Sequence, residues 1–376
     1  MKIVVDARLI LPRMTGIGRY LCGLGRGMPQ LPGDDRFEFW VQPGLPTDHP
    51  IWALAGDHLS LREVPIPHMS LRQQWALPAE LLRHRPDLLH YPHFDLPWAV
   101  PGPVVATIYD LKYIVQPAFF PHFGRIKRLL MLVMMAITVR RARRVIAVSE
   151  STRQDIIRYL RADPRKVAVI PGGVEDVYFH PPPGHALQEV RRRYGLEKPF
   201  ILFVGERRPH KNIVGLLQAF QSFRRLGYKV HHLVIVGKHY ADYQEPERIV
   251  EALSLTGLVR FLDHVPEEDL PPFYRAADAF VLLSLYEGFG LPVLEAMASG
   301  TPVVAARTTS LPEVVGDAGL LVDPRRPAEV ALALSQVIPG GKQRDTYIAR
   351  GLKRARQFAW ERCAEKTIAL YREAVS

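Results

Sequence analysis

The sequence is poor in cysteine and lacks a long uninterrupted apolar run. Its 376 residues include only two cysteines, Cys22 and Cys363, which lie far apart. Two distant thiols exclude a disulfide framework and a cysteine-based zinc site, and they are typical of a reducing cytoplasm. The most apolar run, residues 129–139, is shorter than the roughly 20 residues that a transmembrane helix needs. No signal peptide opens the chain, so we expect a cytoplasmic protein that is not integral to a membrane.

Metal-binding patterns and an acidic charge balance are missing as well. The chain has no Asp-x-Asp, and its histidines and cysteines form no cluster with metal spacing. We therefore expect no metal and no bound cofactor. The formal net charge is +11, which predicts an anionic partner such as nucleic acid, a nucleotide-sugar or an acidic membrane. Basic residues do not alternate with aromatic ones on any strand, which disfavours nucleic acid.

Short apolar strands alternate with helices almost from end to end, as in Lys2–Ala7 and Phe200–Val204. This pattern predicts an α/β protein with two Rossmann-like, doubly wound parallel sheets, one in each domain. A proline-rich linker at 180–186 divides residues 1–180 from 181–355, and 356–376 form a terminal helix. In such sheets, ligands bind beyond the carboxyl ends of the strands.

Residues 285–304 (LYEGFGLPVLEAMASGTPVV) carry the strongest chemical signal. A glycine loop joins a strand to a helix, and the helix N-terminus favours a diphosphate through the free N–H groups of Phe289, Gly290, Leu291 and Val293. Glu287 and Glu295 flank the loop and can accept hydrogen bonds from sugar and ribose hydroxyls, respectively. Either glutamate alone would suggest a structural role, whereas the combination indicates a nucleotide-sugar site.

Residues 204–212 (VGERRPHKN) lie at another strand end, directly before a helix. Lys211 would stand at the helix N-terminus, where it can neutralise phosphate charge. Arg207 or Arg208 could bind the same oxygens through the guanidinium fork. The segment therefore predicts a phosphate clamp formed by Lys211 with either Arg207 or Arg208.

Two further strand ends lie in the first half of the chain. The TGIG loop at 15–18 places Gly16 and Gly18 where a backbone can approach a ligand, but it is an incomplete dinucleotide fingerprint. The incomplete fingerprint disfavours an NAD-dependent oxidoreductase. Tyr109 and Asp110 follow another strand and are candidates for substrate binding. Asp6, at the end of the first strand, is explained equally well as a ligand contact near this loop or as a strand-end cap.

These motifs together resemble glycosyltransferase family 4, a family of retaining enzymes with the GT-B fold. The resemblance rests on the two glutamates of 285–304, the TGIGRY segment at 15–20, and Trp360 in the last helix, and it covers nearly the whole chain. It implies a first domain that binds the acceptor and a second that binds the nucleotide-sugar across a cleft. It also implies that Glu287, Arg207 and Lys211 are catalytic and that the terminal helix crosses back to the first domain. Many family members have a histidine at the position of Tyr109, and it faces the transferred sugar. In this chain that role is either unfilled or taken by the phenol of Tyr109.

Within this family, the sequence is similar to bacterial mannosyltransferases, which favours GDP-mannose as the donor. UDP-glucose or another nucleoside diphosphate sugar is the alternative. The acceptor is expected to be a saccharide or a lipid-pyrophosphate-linked saccharide of envelope or exopolysaccharide synthesis. A basic cluster at 125–144 indicates either solvated helix faces or peripheral contact with the anionic inner membrane face. The competing class is a basic module that binds nucleic acid or membranes without catalysis.

Overall fold

The computed structural model describes residues 1–30, 33–121, 123–181 and 183–376. These residues form two compact units: residues 1–173 with 359–376, and residues 174–358. The first division therefore falls between Gly173 and Val174, before the proline-rich segment that we expected to be the linker. Pro182 of that segment lies outside the described residues, and a helix of the second unit begins at Gly184.

In the described residues, the sheet of the first unit has seven parallel strands in the order β3-β2-β1-β4-β5-β6-β7. The strands are β1 Lys2–Asp6, β2 Arg36–Val41, β3 Leu59–Glu63, β4 Leu88–Tyr91, β5 Val104–Ile108, β6 Arg144–Ala147 and β7 Val167–Val169. The order reverses between β1 and β4, which makes that border a topological switch point.

The sheet of the second unit has six parallel strands over the described residues, in the order β10-β9-β8-β11-β12-β13. The strands are β8 Phe200–Val204, β9 His232–Val236, β10 Val259–Leu262, β11 Ala279–Leu282, β12 Val303–Ala306 and β13 Leu320–Val322. Its switch point lies between β8 and β11. Two doubly wound parallel sheets confirm the predicted fold class.

Helices connect the strands and cover both sheets. Those of the first unit are α1 Gly16–Gly27, α2 Gln73–His84, α3 Lys112–Val115, α4 Arg125–Arg141, α5 Glu150–Leu160 and, after the return of the chain, α14 Trp360–Val375. Those of the second are α6 Gly184–Arg193, α7 Ile213–Arg225, α8 Glu245–Ala252, α9 Leu270–Ala276, α10 Leu291–Ala298, α11 Leu311–Val315, α12 Pro327–Val337 and α13 Lys342–Ala355. None of the helices in the described part of the chain combines the length and hydropathy required to cross a bilayer.

The central strands are buried on both faces, which explains why their sequences are continuously apolar. Val4 of β1 and Phe203 of β8 are both completely buried, each in the core of its own unit. Strand β3 (LSLRE) was missed by sequence analysis because it is an edge strand with polar and half-exposed positions. The terminal helix that we expected over 356–376 is α14, which begins only at Trp360 because Phe358 packs against the core of the second unit while Trp360 is buried in the first.

Candidate functional site

The two strongest motifs lie side by side in the second unit. Strands β8 and β11 are parallel neighbours, so the segments that follow them emerge at the same edge of the sheet. The N–H of Leu285 donates to the carbonyl of His210 over 2.7 Å, which joins the two segments directly. The site is therefore built at the switch point of this sheet, where ligands of such folds bind.

Lys211 and Glu287 form an ion pair at this edge. The Lys211 Nζ lies 2.6 Å from Glu287 Oε2, and Ser284 Oγ donates to the same oxygen over 2.9 Å. Each side chain of the ion pair keeps 15% of its surface exposed, so both remain within reach of a ligand. An ammonium at this position provides a point charge for phosphate, and the adjacent carboxylate provides an acceptor for hydroxyl groups.

The segment after β12 supports the Glu287 loop. Thr309 Oγ1 accepts from the N–H of Glu287 over 3.0 Å, and Ser310 Oγ donates to the carbonyls of Glu287 and Phe289 over 2.9 and 3.0 Å. Thr309 has a φ of 45°, which is unfavourable for a β-branched residue. Such strain is found preferentially at functional sites. No local sequence signal marks Thr309 or Ser310, since their role depends on contacts across more than twenty residues.

Helix α10 begins directly after Gly290. This glycine has a φ of 109°, and a Cβ there would lie 2.8 Å from Leu311 Cδ2, so both conformation and space favour glycine. In the described part of the chain, the N–H groups of Phe289, Gly290 and Leu291 have no hydrogen-bond acceptor, as an anion site at a helix N-terminus requires. We also expected a free N–H at Val293, which was wrong because it donates to the Gly290 carbonyl over 3.0 Å.

Glu295 lies one turn into α10 and is largely buried, with 4% of its surface exposed. Its Oε2 accepts from the hydroxyl of Tyr274 over 2.7 Å. Tyr274 is itself fully buried, so this hydrogen bond holds the carboxylate in one orientation. The expected contact between Glu295 and a ribose stays a prediction.

Arg207 does not join the Lys211–Glu287 pair. Its guanidinium donates to Glu247 over 3.1 Å and to Asp263, and it stacks over the ring of Phe261. Only 4% of its side chain is exposed. The carboxylates of Glu247 and Asp263 pair with its guanidinium, so the phosphate role of Arg207 stays a prediction that would require these ion pairs to open. Arg208 is also occupied, by Asp242 at 3.0 Å.

We expect Arg207→Met to act on stability rather than on ligand binding. The change leaves the partly solvated Glu247 and Asp263 carboxylates without their shared partner, which should lower the free energy of unfolding by about 1 kcal/mol at most. Nucleoside diphosphate affinity should stay within about threefold. Urea unfolding and calorimetric titration measure the two quantities separately. A large loss of affinity with unchanged stability would support the phosphate role.

In the first unit, the predicted glycine loop is the start of a helix. Thr15 caps α1 through its Oγ1, which accepts from the N–H of Gly18 over 3.2 Å. Gly16 and Gly18 therefore lie in the first turn of α1. A Cβ at Gly16 would meet nothing within 4 Å, whereas one at Gly18 would approach the Met14 sulfur to 2.9 Å. Gly16 thus faces open space in which a ligand could lie.

Tyr109 and Asp110 differ in their accessibility. The Tyr109 hydroxyl is buried and has no hydrogen-bond partner among the described residues, and its ring packs edge-on against Tyr20 at 5.2 Å. Burial raises the pKa of this phenol well above its usual value. Asp110 is half-buried, and its Oδ1 accepts from the N–H of Lys112 over 3.1 Å. Of the two, only Asp110 presents a polar group at the surface.

Asp6 is a structural residue. Its carboxylate is fully buried and pairs with Arg8, at 2.6 Å between Oδ2 and Nη2 and 2.8 Å between Oδ1 and Nε. Burial alone would raise the pKa of Asp6, but the guanidinium outweighs this and holds the pKa below its usual value. Arg8 also donates to the carbonyl of Ile66 over 2.7 Å, so the pair anchors the segment after β3.

Sequence analysis missed a compact group of His68, His93 and Asp95 near the switch point of the first sheet. One ligand atom from each residue lies within 4.8 Å of the others. His68 follows β3, whereas His93 and Asp95 follow β4. Spacing along the chain could not reveal the group, because 24 residues lie between the two histidines.

Comparisons with known proteins agree with this architecture. The model of Glycosyltransferase Family 4 matches residues 14–178, and that of Glycosyl transferases group 1 matches residues 188–354. The O-antigen chain mannosyltransferase B of Escherichia coli is 34% identical over 301 residues, which cover 80% of this chain and 77% of that protein. The chain belongs to glycosyltransferase family 4. It is therefore a transferase, as the resemblance implied.

Other relatives of this glycosyltransferase differ in their named activities. The D-inositol 3-phosphate glycosyltransferase of Salinispora tropica is 36% identical over 253 residues, covering 63% of this chain and 52% of that protein. Sucrose-phosphate synthase of Thermosynechococcus elongatus shares the fold at a TM-score of 0.78 and 22% identity, covering 99% of this chain and 98% of that chain. The structure of Anabaena HepE in complex with UDP-glucose aligns with a TM-score of 0.76 and 20% identity, covering 99% of this chain and 100% of that chain. These solved structures support the GT-B fold.

Proposed function

We propose that this glycosyltransferase binds a nucleoside diphosphate sugar in its second unit and transfers the sugar with retention, without a divalent cation at the donor. The observation that carries this proposal is the Lys211–Glu287 pair beside the N-terminus of α10. Lys211 and the N–H groups of Phe289, Gly290 and Leu291 provide the positive charge that a metal would otherwise supply to the diphosphate. The complexes of Anabaena HepE with UDP and UDP-glucose support a donor of this class.

In the proposed reaction, the bond between the anomeric carbon and the diphosphate oxygen breaks while the acceptor oxygen bonds to the same face of that carbon. The acceptor proton passes to the departing diphosphate, so no protein base is required. Lys211 and the helix N-terminus stabilise the charge that develops on the leaving group. Glu287 accepts a hydrogen bond from a hydroxyl of the transferred sugar, and Glu295 accepts hydrogen bonds from the ribose hydroxyls. Arg207 takes no part in this scheme.

We favour GDP-mannose as the donor because the E. coli relative that matches most of the chain is named a mannosyltransferase. UDP-glucose is the alternative, supported by the HepE complex. The test is to incubate the enzyme with each donor and short saccharide acceptors and to follow the anomeric protons by NMR. Transfer from GDP-mannose with an α-configured product supports the proposal. Transfer only from UDP-glucose would show that glucose and not mannose is the donor sugar. A product of inverted configuration would exclude the retaining mechanism.

We propose that the first unit binds the acceptor, a saccharide or lipid-pyrophosphate-linked saccharide of polysaccharide synthesis. The name of the E. coli relative, an O-antigen chain mannosyltransferase, supports this class. Gly16, with open space beside it, and the half-buried Asp110 are the candidate contacts. The buried hydroxyl of Tyr109 would have to move before it could contribute.

Helix α4 supports an acceptor that is presented at a membrane. Ile126, Leu129, Leu130 and Val133 share one face of α4 and are 46–77% exposed. Their spacing of three and four residues makes a continuous apolar stripe. Arg125, Lys127, Arg140 and Arg141 lie at the two ends of the helix and are exposed. An apolar stripe with basic ends suits the surface of an anionic bilayer, which we propose is the inner membrane face.

We expect the double variant L129S/L130S to lose association with vesicles that contain anionic phospholipid. The change removes apolar area from the stripe while the basic residues stay in place. Co-sedimentation with anionic and zwitterionic vesicles at low and high salt measures the effect. The matched control is L226S/L332S, which changes two exposed leucines of the second unit. Equal binding by both double variants, or no binding by the unmodified protein at low salt, would contradict a membrane role for α4.

A further inference from the structure

The His68–His93–Asp95 group, which the proposed transfer does not use, has the composition of a metal site. His68 Nδ1 lies 3.3 Å from Asp95 Oδ2, and His93 Nδ1 contacts Asp95 Oδ1. Two ligand atoms about 2.0–2.1 Å from a tetrahedral zinc ion lie roughly 3.4 Å apart. The separation of His68 and Asp95 therefore matches an edge of such a site. The two imidazoles meet edge to face, with ring centroids 4.9 Å apart.

The nitrogens of His68 give a second, independent indication. Only 9% of the side chain is exposed, and Nε2 makes no hydrogen bond with any part of the described chain, whereas Nδ1 has only the Asp95 carboxylate beside it. A buried polar nitrogen without a partner costs free energy, which a ligand can offset. Both nitrogens are closed to bulk solvent, so a small ion suits them better than a sugar hydroxyl.

Other polar groups already hold Asp95 in place. Oδ1 accepts from the hydroxyl of Tyr91 over 2.9 Å, whereas Oδ2 accepts from Gln73 Nε2 over 3.0 Å and from the N–H of Met69 over 3.2 Å. Hydrogen bonds of this kind orient the carboxylate ligands of metal ions and are part of how such sites are built. Gln73 Oε1 also accepts a hydrogen bond from Arg8 Nη2 over 3.3 Å, which links the group to the buried Asp6–Arg8 pair.

We propose that His68, His93 and Asp95 bind a zinc-class divalent cation in the first unit. Two imidazoles and one carboxylate are the donor set of borderline metals such as Zn²⁺, whereas Mg²⁺ and Ca²⁺ prefer oxygen ligands alone. Three protein ligands leave a fourth position for water. The ion ties the segment after β3 to the segment after β4 at the switch point of the sheet.

This site is separate from donor binding. Its ligands belong to the first unit, whereas Lys211 and Glu287 belong to the second. Removing the ion should leave the affinity for nucleoside diphosphates unchanged. Failure of the metal site and failure of the proposed transferase mechanism therefore give different results.

The test uses untagged full-length protein that has been treated with EDTA and dialysed free of it. Zn²⁺ titration by calorimetry should give one site per chain, with a rise in melting temperature, whereas Mg²⁺ should give neither. H68A and H93A should each weaken Zn²⁺ binding by at least about 100-fold, as loss of a ligand does more than loss of its supporting hydrogen bond. Co²⁺ in place of zinc should give the visible absorption of a four-coordinate site.

The matched control is H58A, which removes a half-buried histidine of the same unit outside the group. It should bind Zn²⁺ as the unmodified protein does. Circular dichroism and GDP binding confirm that H68A and H93A are folded. The proposal is overturned if the metal-free protein binds no Zn²⁺, or if H68A and H93A both retain the affinity of H58A. In either case the group is a histidine–carboxylate network without an ion.

Discussion

Glu287→Gln is expected to slow sugar transfer by about 10²–10³-fold, the size of effect seen when one preorganised electrostatic contact to a transition state is removed. The glutamine keeps the shape of the side chain but replaces the carboxylate with a neutral amide, which is a weaker acceptor for the sugar hydroxyl while positive charge develops on the sugar. Because Glu287 contacts the sugar and not the phosphates in our proposal, nucleoside diphosphate affinity should not fall. Steady-state transfer rates and calorimetric binding measure the two effects.

Two results decide whether Glu287 acts on the reaction. Glu251→Gln changes an exposed glutamate of the same unit and should leave transfer unchanged. If Glu287→Gln turns over at the rate of Glu251→Gln with the same donor and acceptor, the role we assign to Glu287 is wrong. If Glu287→Gln also unfolds at a lower urea concentration than the unmodified enzyme, the loss of transfer reflects a disturbed Glu287 loop and not the loss of a contact to the reacting sugar.

Lys211→Met is expected to impair both binding and transfer. The methionine fills similar space but removes the ammonium, and the unpaired Glu287 carboxylate then faces the donor phosphates. A lost charge-assisted contact of about 1.5–3 kcal/mol corresponds to roughly 10–100-fold weaker nucleoside diphosphate binding. Transfer should fall further, by about 10²–10³-fold, because charge on the diphosphate increases as the bond breaks.

The control for this variant is Lys229→Met, an exposed lysine that precedes β9 and so lies at the opposite edge of the same sheet. It should bind and transfer as the unmodified enzyme does. The salt dependence adds a further check, since the affinity of Lys211→Met should respond less to ionic strength. Unchanged nucleoside diphosphate affinity in Lys211→Met would exclude the phosphate role.

Most of the fold was predictable because parallel strands buried on both faces leave a strong local pattern. Phe200–Val204 is apolar throughout, and the structure places it in the centre of its sheet. Edge strand β3 lacks that pattern because its side chains are partly solvated. The boundary at Gly173 was missed for another reason: contacts between distant segments define the units, whereas the three prolines at 181–183 mark only a local break.

The site was predictable where one motif contains its own geometry. Gly290 and the start of α10 follow from the glycine and proline pattern of residues 285–304. The ion pairs of Arg207 could not be predicted, because its partners, Glu247 and Asp263, are 40 and 56 residues away. Thr309 supports Glu287 through a contact between separate strand ends that no local pattern encodes. Sequence spacing shows which groups follow strands, whereas pairing among them depends on side-chain direction.

The measurement that tests the central claim most directly is calorimetric binding of GDP, UDP, ADP and NAD in the presence of EDTA. It compares the unmodified enzyme with Lys211→Met and Glu295→Ala. Our account predicts that one nucleoside diphosphate binds without metal and that both variants bind it at least about tenfold more weakly. The nucleoside diphosphate that binds also identifies the base of the donor. If no nucleoside diphosphate binds, if binding requires a divalent cation, or if only NAD binds, the donor site described here is contradicted.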